Sequence, residues 1–233
     1  MITGVISCSK NEDQTVPPIT SGDIIGAVNL YDEGTTQIGN SGLTVKLEGT
    51  NFSSTTNAEG NFRLTNVPFG TYNVVYEKEG FGTYKKFDLE HSSTGSSTII
   101  PETPSLGQVS STEITELTAE TSADGIVISI RTNPSANNGN NRYVRYFLSS
   151  NENVSNQDYT SYSQGLIVRI TPYDINLTKE ELLSQGFSSG QTVYVKVYGD
   201  SFWSNEYDDL VLQRRIFPNL NMNAVSSVAF QVP

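Results

Sequence analysis

The chain is poor in the residues from which metal sites and nucleophilic triads are built. Among 233 residues there are one cysteine, one histidine and one tryptophan. The lone cysteine, Cys8, excludes an intramolecular disulfide and a thiolate-built zinc cage. The lone histidine, His91, follows Asp88-Leu89-Glu90 and precedes a Ser/Thr/Gly run, so it reads as an exposed loop residue rather than as the oriented base of a triad. No HExxH, GxxxxGK[ST] or GxGxxG motif occurs, and the sequence calls for no metal and no cofactor. Basic residues are scarce too: 14 Lys and Arg stand against 25 Asp and Glu, for a net charge of −11. Such a chain is a poor partner for nucleic acid, whose binding rests on cations neutralising phosphates. No apolar run approaches the ~20 residues of a membrane-spanning helix.

What is present points to β-structure. Tyr and Phe, 12 and 10 in number, carry much of the capacity for burial. The 19 Gly and 9 Pro are scattered rather than periodic, as in a turn-rich β protein. Apolar residues make up 36%, enough for sandwich cores in which only alternate strand residues face inward. The acidic excess is spread along the chain and reads as a solubility feature.

Residues 22–100 alternate apolar segments with turn signals. Ile25 to Tyr31, Leu43 to Leu47, Phe62 to Leu64 and Tyr72 to Tyr76 read as strands. Asn57-Ala58-Glu59-Gly60 reads as a hairpin loop with Gly60 at positive φ. In Val67-Pro68-Phe69-Gly70, Pro68 and Gly70 occupy the second and fourth positions of a type I turn. The ordered set Gly26, Gly42-Leu43-x-Val45-x-Leu47-x-Gly49-Thr50, Thr56-x-x-Glu59-Gly60-x-Phe62-x-Leu64, Val67-Pro68-x-Gly70-x-Tyr72 and Gly80-Phe81 resembles the carboxypeptidase regulatory-like domain. The resemblance implies a transthyretin-like β-sandwich without catalytic ligands of its own, a module that elsewhere leads outer-membrane transporters and surface lipoproteins. Fold alone does not license a function.

Pro101-Glu102-Thr103-Pro104 reads as a stiff extended junction. Strand signals resume from Ile114 and recur at Ile126 to Ile130, Tyr143 to Leu148, Leu166 to Ile170, Thr192 to Tyr198 and Val225 to Val232. Alternation assigns Tyr143, Tyr146 and Phe147 to the core and its edge. Thr178 with Glu181 forms a capping box, Leu182-Leu183 supplies an apolar face and Gly186 suits a C-terminal stop, so one short helix is expected near 178–186. Thr192-x-Tyr194-x-Lys196-Val197-Tyr198 and Ala224 to Phe230 resemble the last two strands of a fibronectin type III or immunoglobulin-like sandwich, the first bearing a tyrosine corner. Two departures stand out: Gly190 replaces the proline that usually precedes that threonine, and Ile130-Arg131 stands where the second-strand tryptophan belongs.

Val5-Ile6-Ser7-Cys8 resembles the lipobox of bacterial lipoproteins, which implies lipid attachment at Cys8. Several acyl chains anchor a protein stably where one alone binds marginally. Ser9 to Thr20 is polar, includes Pro17-Pro18, and suits a tether. Only seven residues precede Cys8, none of them Lys or Arg, whereas a secretory signal needs a charged start and about 7–15 apolar residues. Either the signal begins upstream or Cys8 is a free thiol. Lys10-Asn11-Glu12-Asp13 resembles the acidic export tags of surface lipoproteins of Bacteroidota.

The fold expectation is all-β, two β-sandwiches in tandem, transthyretin-like and then immunoglobulin- or fibronectin III-like. The divisions expected are a signal remnant and tether at 1–21, the first sandwich at 22–100, a linker at 101–112 and the second sandwich at 113–233. The candidate binding residues are Asp200, Phe202, Trp203, Tyr207, Asp208 and Asp209, with Glu206 among them. They follow a strong strand, in a loop of the kind that clusters at a sandwich tip. There aromatic faces could stack on sugar rings and carboxylates accept hydroxyls; the alternative is that Phe202 and Trp203 cover the sandwich edge. The expected function is that of a non-enzymatic, outer-membrane lipid-anchored protein, periplasmic or surface-exposed, docking to another envelope protein. A glycan-binding protein using the Trp203 loop is the second expectation. A hydrolase is the third and remote one, because nothing singles out a carboxylate pair.

Overall fold

The computed structural model describes residues 20–92, 97–137 and 139–233. Cys8 and the tether lie outside the described residues. The N-terminal sandwich is built from β1 (Ser21–Ala27), β2 (Asn29–Tyr31), β3 (Thr44–Leu47), β4 (Ser53–Thr55), β5 (Asn61–Pro68), β6 (Gly70–Glu77), β7 (Tyr84–His91), β8 (Thr98–Ile99) and β9 (Ser105–Gly107). One sheet runs β5-β1-β8, the facing sheet β4-β3-β6-β7, and β2 pairs with β9 alongside. Alternation drives the packing: Val45 and Leu47 of β3, and Phe62 and Leu64 of β5, are buried while their neighbours are not. They close on Ile24, Leu30, Val74, Tyr76 and Leu106 in one core.

Two local devices set the register of β5. After Leu64 the next buried residue is Val67 rather than residue 66, because Asn66 adopts φ 53 and the pairing with β1 shifts there. The bulge is pinned by Asp23, whose carboxylate accepts from Asn66 N at 3.0 Å and pairs with Arg63 at 2.9 Å. These two contacts, the Asn66 N–H first, hold the Asp23 carboxyl below its usual range. At the strand's start, Gly60 has φ +87, and a Cβ there would sit 2.2 Å from the Val28 carbonyl oxygen.

Val67 to Gly70 turns the corner of the sandwich: Phe69 alone separates β5 from β6, which belong to opposite sheets. Two expectations need correction. Residues 101–112 are not a free linker. Leu106 is buried in the N-terminal core and β9 pairs in parallel with β2, because β2 otherwise has an open edge and Leu106 an apolar side chain to hide. His91 is not exposed. It ends β7, only 2% exposed, with Nε2 donating to Val67 O at 3.0 Å and Nδ1 2.7 Å from Thr98 Oγ1, and with its ring against Phe69. Since a carbonyl only accepts, the proton sits on Nε2 and the threonine hydroxyl donates to Nδ1.

The C-terminal sandwich comprises β10 (Glu113–Thr121), β11 (Gly125–Asn133), β12 (Arg142–Ser149), β13 (Ser161–Tyr162), β14 (Leu166–Val168), β15 (Tyr173–Thr178), α1 (Lys179–Ser184), β16 (Thr192–Asp200), β17 (Tyr207–Asp209), β18 (Arg214–Ile216) and β19 (Val228–Gln231). A β10-β11-β15 sheet faces a β13-β12-β16-β19 sheet, with β14 also on β12. Ile126, Ile128 and Ile130 alternate inward against Val144, Tyr146 and Leu148. Thr178 caps α1 as expected: its hydroxyl accepts from Glu181 N at 3.2 Å and Glu181 Oε2 accepts from Thr178 N at 2.8 Å. Of the apolar pair on the helix only Leu182 is buried; Leu183 faces solvent. All eight residues of β12 are buried, so alternation is invisible there. The cause is the long connection from β16 to β19, residues 201–227. It crosses the outer face of the sheet and lays Phe217 and Leu220 over Phe147 and Tyr198. Tyr194 packs on the same group.

Replacing Gly60 by alanine forces a left-handed conformation on a side chain and drives its Cβ into a backbone oxygen. The expected loss is at least about 2 kcal/mol, read as a lower urea midpoint at unchanged slope. An unchanged midpoint would show that the β4–β5 corner relaxes freely.

Candidate functional site

The connection that covers β12 contains all the candidate residues from Phe202 onward. Its charges form an alternating chain. Arg145 of β12, buried, donates from Nε to Asp200 Oδ2 at 2.8 Å and from Nη1 to Ser163 O at 2.8 Å. Its Nη2 lies 2.7 Å from Glu206 Oε2. Glu206 pairs onward to Arg215 at 2.9 Å, and Arg215 to Asp208 at 3.1 Å. The Arg145 guanidinium also lies 4.8 Å from the ring centre of Phe217. Asp200, which ends β16, is only 1% exposed. Burial pushes its carboxyl up, against the pull of Arg145 and of the Ser201 N–H. Both ions are taken out of water, and removing either leaves the other uncompensated. Asp200 and Glu206 are therefore committed to holding this connection on the sheet, not free for a ligand.

The aromatic residues face the N-terminal sandwich. Trp203 packs on Tyr31 of β2 with ring centres 5.0 Å apart, and Phe202 lies edge-on to Trp203 at 5.2 Å and to Tyr143 at 5.6 Å. Tyr207 contacts Tyr84 and Phe87 of β7 at 6.0 and 6.2 Å. Beneath them two carboxamides sit buried. Asn205 Oδ1 accepts from Gly107 N at 2.8 Å, and its Nδ2 donates to Gly107 O and Gly82 O at 3.0 and 3.1 Å. Asn219, 0% exposed, accepts from Gly82 N at 3.0 Å and donates to Gly107 O at 3.0 Å and Trp203 O at 2.7 Å. Asn205 itself takes φ 54. The sequence-based picture of a loop projecting from a free sandwich tip is thus corrected: that end is occupied by the other sandwich, and Trp203 is half-buried between the two. Asn205 and Asn219 were missed by the sequence reading, since an asparagine in a polar stretch looks like a solvated turn.

Asp208 and Asp209 lie elsewhere, on the β17–β18 hairpin, paired Tyr207↔Ile216, Asp208↔Arg215 and Asp209↔Arg214. Asp209 is buried and its Oδ1 accepts from Val211 N at 3.0 Å and Leu212 N at 2.9 Å. That fixes the turn, and Gln213 completes it at φ 52. The turn displays Leu210, Val211 and Leu212, which are 55%, 78% and 55% exposed. The described residues contain no cluster of three or more His, Cys, Asp or Glu suited to a metal.

Residues 31–100 match the carboxypeptidase regulatory-like domain family. No curated protein matches the chain. Among solved structures, a candidate carbohydrate-binding protein from Bacteroides uniformis is similar at 15% identity and TM-score 0.32, over 91% of this chain and 99% of that one. A DUF3823 family protein from Bacteroides ovatus is similar at 11% identity and TM-score 0.30, over 91% and 100%. A chain of a type II cohesin–X-dockerin complex from Acetivibrio cellulolyticus shares 18% identity at TM-score 0.32, over 38% and 58%. The chain spans little more than half the length of that structure.

Asn205→Ala strips the buried Gly107 N–H and the Gly82 carbonyl of their carboxamide partner and leaves Gly107 O with Asn219 alone. It should cost about 2–4 kcal/mol. Trp203, the sole tryptophan, reports the junction directly. In urea its fluorescence change should coincide with the loss of far-UV signal in the parent and precede it in Asn205→Ala. Coincident transitions at the parent midpoint would remove the junction role. Trp203→Ala should likewise lower the melting temperature by several degrees, about 1–2 kcal/mol of lost packing. An unchanged melting temperature would return Trp203 to the list of surface aromatics.

Proposed function

We propose that this chain is a non-enzymatic docking module of the cell envelope, held to the outer membrane by lipid at Cys8 and engaging a partner protein through the β17–β18 hairpin tip. The lipid anchor rests on Val5-Ile6-Ser7-Cys8 and the polar tether behind it. The observation that supports docking is the tip itself: three consecutive aliphatic side chains exposed on a turn that Asp209 holds rigid. Contiguous exposed apolar surface on an ordered element marks an interaction site. Preorganisation matters here, because ordering a loop on binding costs affinity and this one is already ordered. Burying one such side chain fully is worth about 1.5–3 kcal/mol, so three make an anchor of hot-spot size. A protein groove suits the tip better than an anionic lipid surface, since the chain carries net charge −11.

The test compares partners recovered from gently crosslinked native membranes with the parent protein and with Val211→Ser plus Leu212→Ser. The variant should keep its melting temperature, because both side chains are exposed, and should lose a specific envelope protein by about tenfold or more. Identical recovery from both proteins would sink the reading. Loss of binding to phospholipid vesicles, with no protein lost, would assign the tip to the membrane instead.

A further inference from the structure

Between the β17–β18 hairpin and the segment leading into β13 lies an open cleft of about 520 Å³. That is within the range of ligand pockets, about 300–1,000 Å³. One wall is aromatic. Tyr159 and Tyr162 stand edge to face with centres 5.3 Å apart. Phe217 backs them at 6.0 and 5.0 Å, and the fully buried ring of Phe147 at 5.3 and 6.3 Å. The tyrosines are therefore fixed from behind, while Tyr162 remains 36% exposed in front. Neither phenol hydroxyl is tied up in a hydrogen bond among the described residues, so both can serve a ligand.

The other wall is polar, with Asp208, Gln213 and Arg214. Asp208 is aligned by Arg215 Nη1, 3.1 Å from each carboxylate oxygen, yet its side chain stays 69% exposed and keeps acceptor capacity. Arg215 is steadied in turn by Glu206. Charge is balanced on this side: Glu206, Asp208 and Asp209 against Arg145, Arg214 and Arg215. Neither an anion nor a cation is drawn in by net charge. The chemistry that fits is neutral, with an apolar face for the rings and hydroxyls for the carboxylate, amide and guanidinium. We infer that this cleft is a subsite for a neutral glycan, with Tyr162 as the stacking platform and Asp208, Gln213 and Arg214 reading its hydroxyls. The subsite shares Leu210 with the aliphatic tip but not Val211 or Leu212, and it does not rest on the docking role proposed for that tip.

The test presents the full chain to an array of neutral oligosaccharides (glucans, mannans, galactans and xylans) together with acidic ones, and follows hits by titration calorimetry. At least one neutral member should bind saturably. Tyr162→Ala should weaken it by about tenfold, and Asp208→Asn and Gln213→Ala by about threefold each. Asp208→Asn and Gln213→Ala change exposed side chains, should leave the melting temperature unchanged, and decide the matter if Tyr162→Ala proves unstable. Val211→Ser should bind glycan as the parent does, which separates this subsite from the docking tip. No neutral hit at millimolar sugar, a preference for acidic glycans, or binding that survives both Asp208→Asn and Gln213→Ala would overturn the assignment.

Discussion

Gly107 has no room for a side chain, because a Cβ there would lie 2.4 Å from the Trp203 carbonyl oxygen. The contact between the two sandwiches depends on that close backbone approach. It brings the N–H and C=O of Gly107 within reach of two carboxamides, Asn205 and Asn219, which have no water to turn to. The backbone groups of Gly82 and Gly107 and the two carboxamides satisfy one another, and separation would orphan them all. Apolar contact alone would tolerate sliding; paired carboxamides do not, since hydrogen bonds fail within a few tenths of an ångström. The result is a junction whose geometry is set by direction as well as by area.

The same reasoning applies one layer out, where charge replaces amide. Residues 201–227 are a long excursion between neighbouring strands, of a length that commonly marks function or disorder. Here Arg145 holds it, with Asp200 at its start and Glu206 within it, while Phe217 lies beneath the guanidinium. The ion pair is not evidence of great stability, since two charges had to leave water. Its role is specificity: Asp200 and Glu206 can both reach Arg145 only when the excursion is folded across β12. With the excursion in place, the outer face of β12 becomes a second small core, and the β17–β18 hairpin has a base on which to stand.

Elements governed by local pattern were legible in the sequence. The alternation of Val45 with Leu47 and of the three isoleucines in β11, the Thr178–Glu181 box and the turn at Gly60 all declare themselves within a few residues. What escaped depends on partners far away in the chain. Alternation vanishes in β12 because both faces are covered. Directly after Pro101 to Pro104 comes a strand, Ser105–Gly107, that exists only because β2 offers an edge to it. His91 looked solvated, yet a carbonyl on β5 and a hydroxyl on β8 satisfy its ring and allow it to be buried. The candidate site fared alike. Its six residues are adjacent in sequence but serve three ends: Asp200 the ion network, Phe202 and Trp203 the junction, and Tyr207, Asp208 and Asp209 the hairpin. Composition marked the stretch as unusual and could not apportion it.

The hairpin shows why the exposed aliphatic tip is not an accident of packing. The excursion that carries it has ample means of burial: Phe217 and Leu220 reach a covered face, and Trp203 reaches a neighbouring sandwich. A loop with those options and no constraint would fold Leu210, Val211 and Leu212 inward or fray. Instead Asp209 gives up its carboxylate to two turn amides, and the two-stranded ladder behind it keeps the tip out in water. A buried carboxylate engaged in that way has a desolvation cost, and the three aliphatics have a hydration cost. The two turn amides offset the first; the second persists while the tip faces water. A surface that covered the tip would remove it, and that cost, more than the number of apolar residues, is the physical argument behind the proposed docking role.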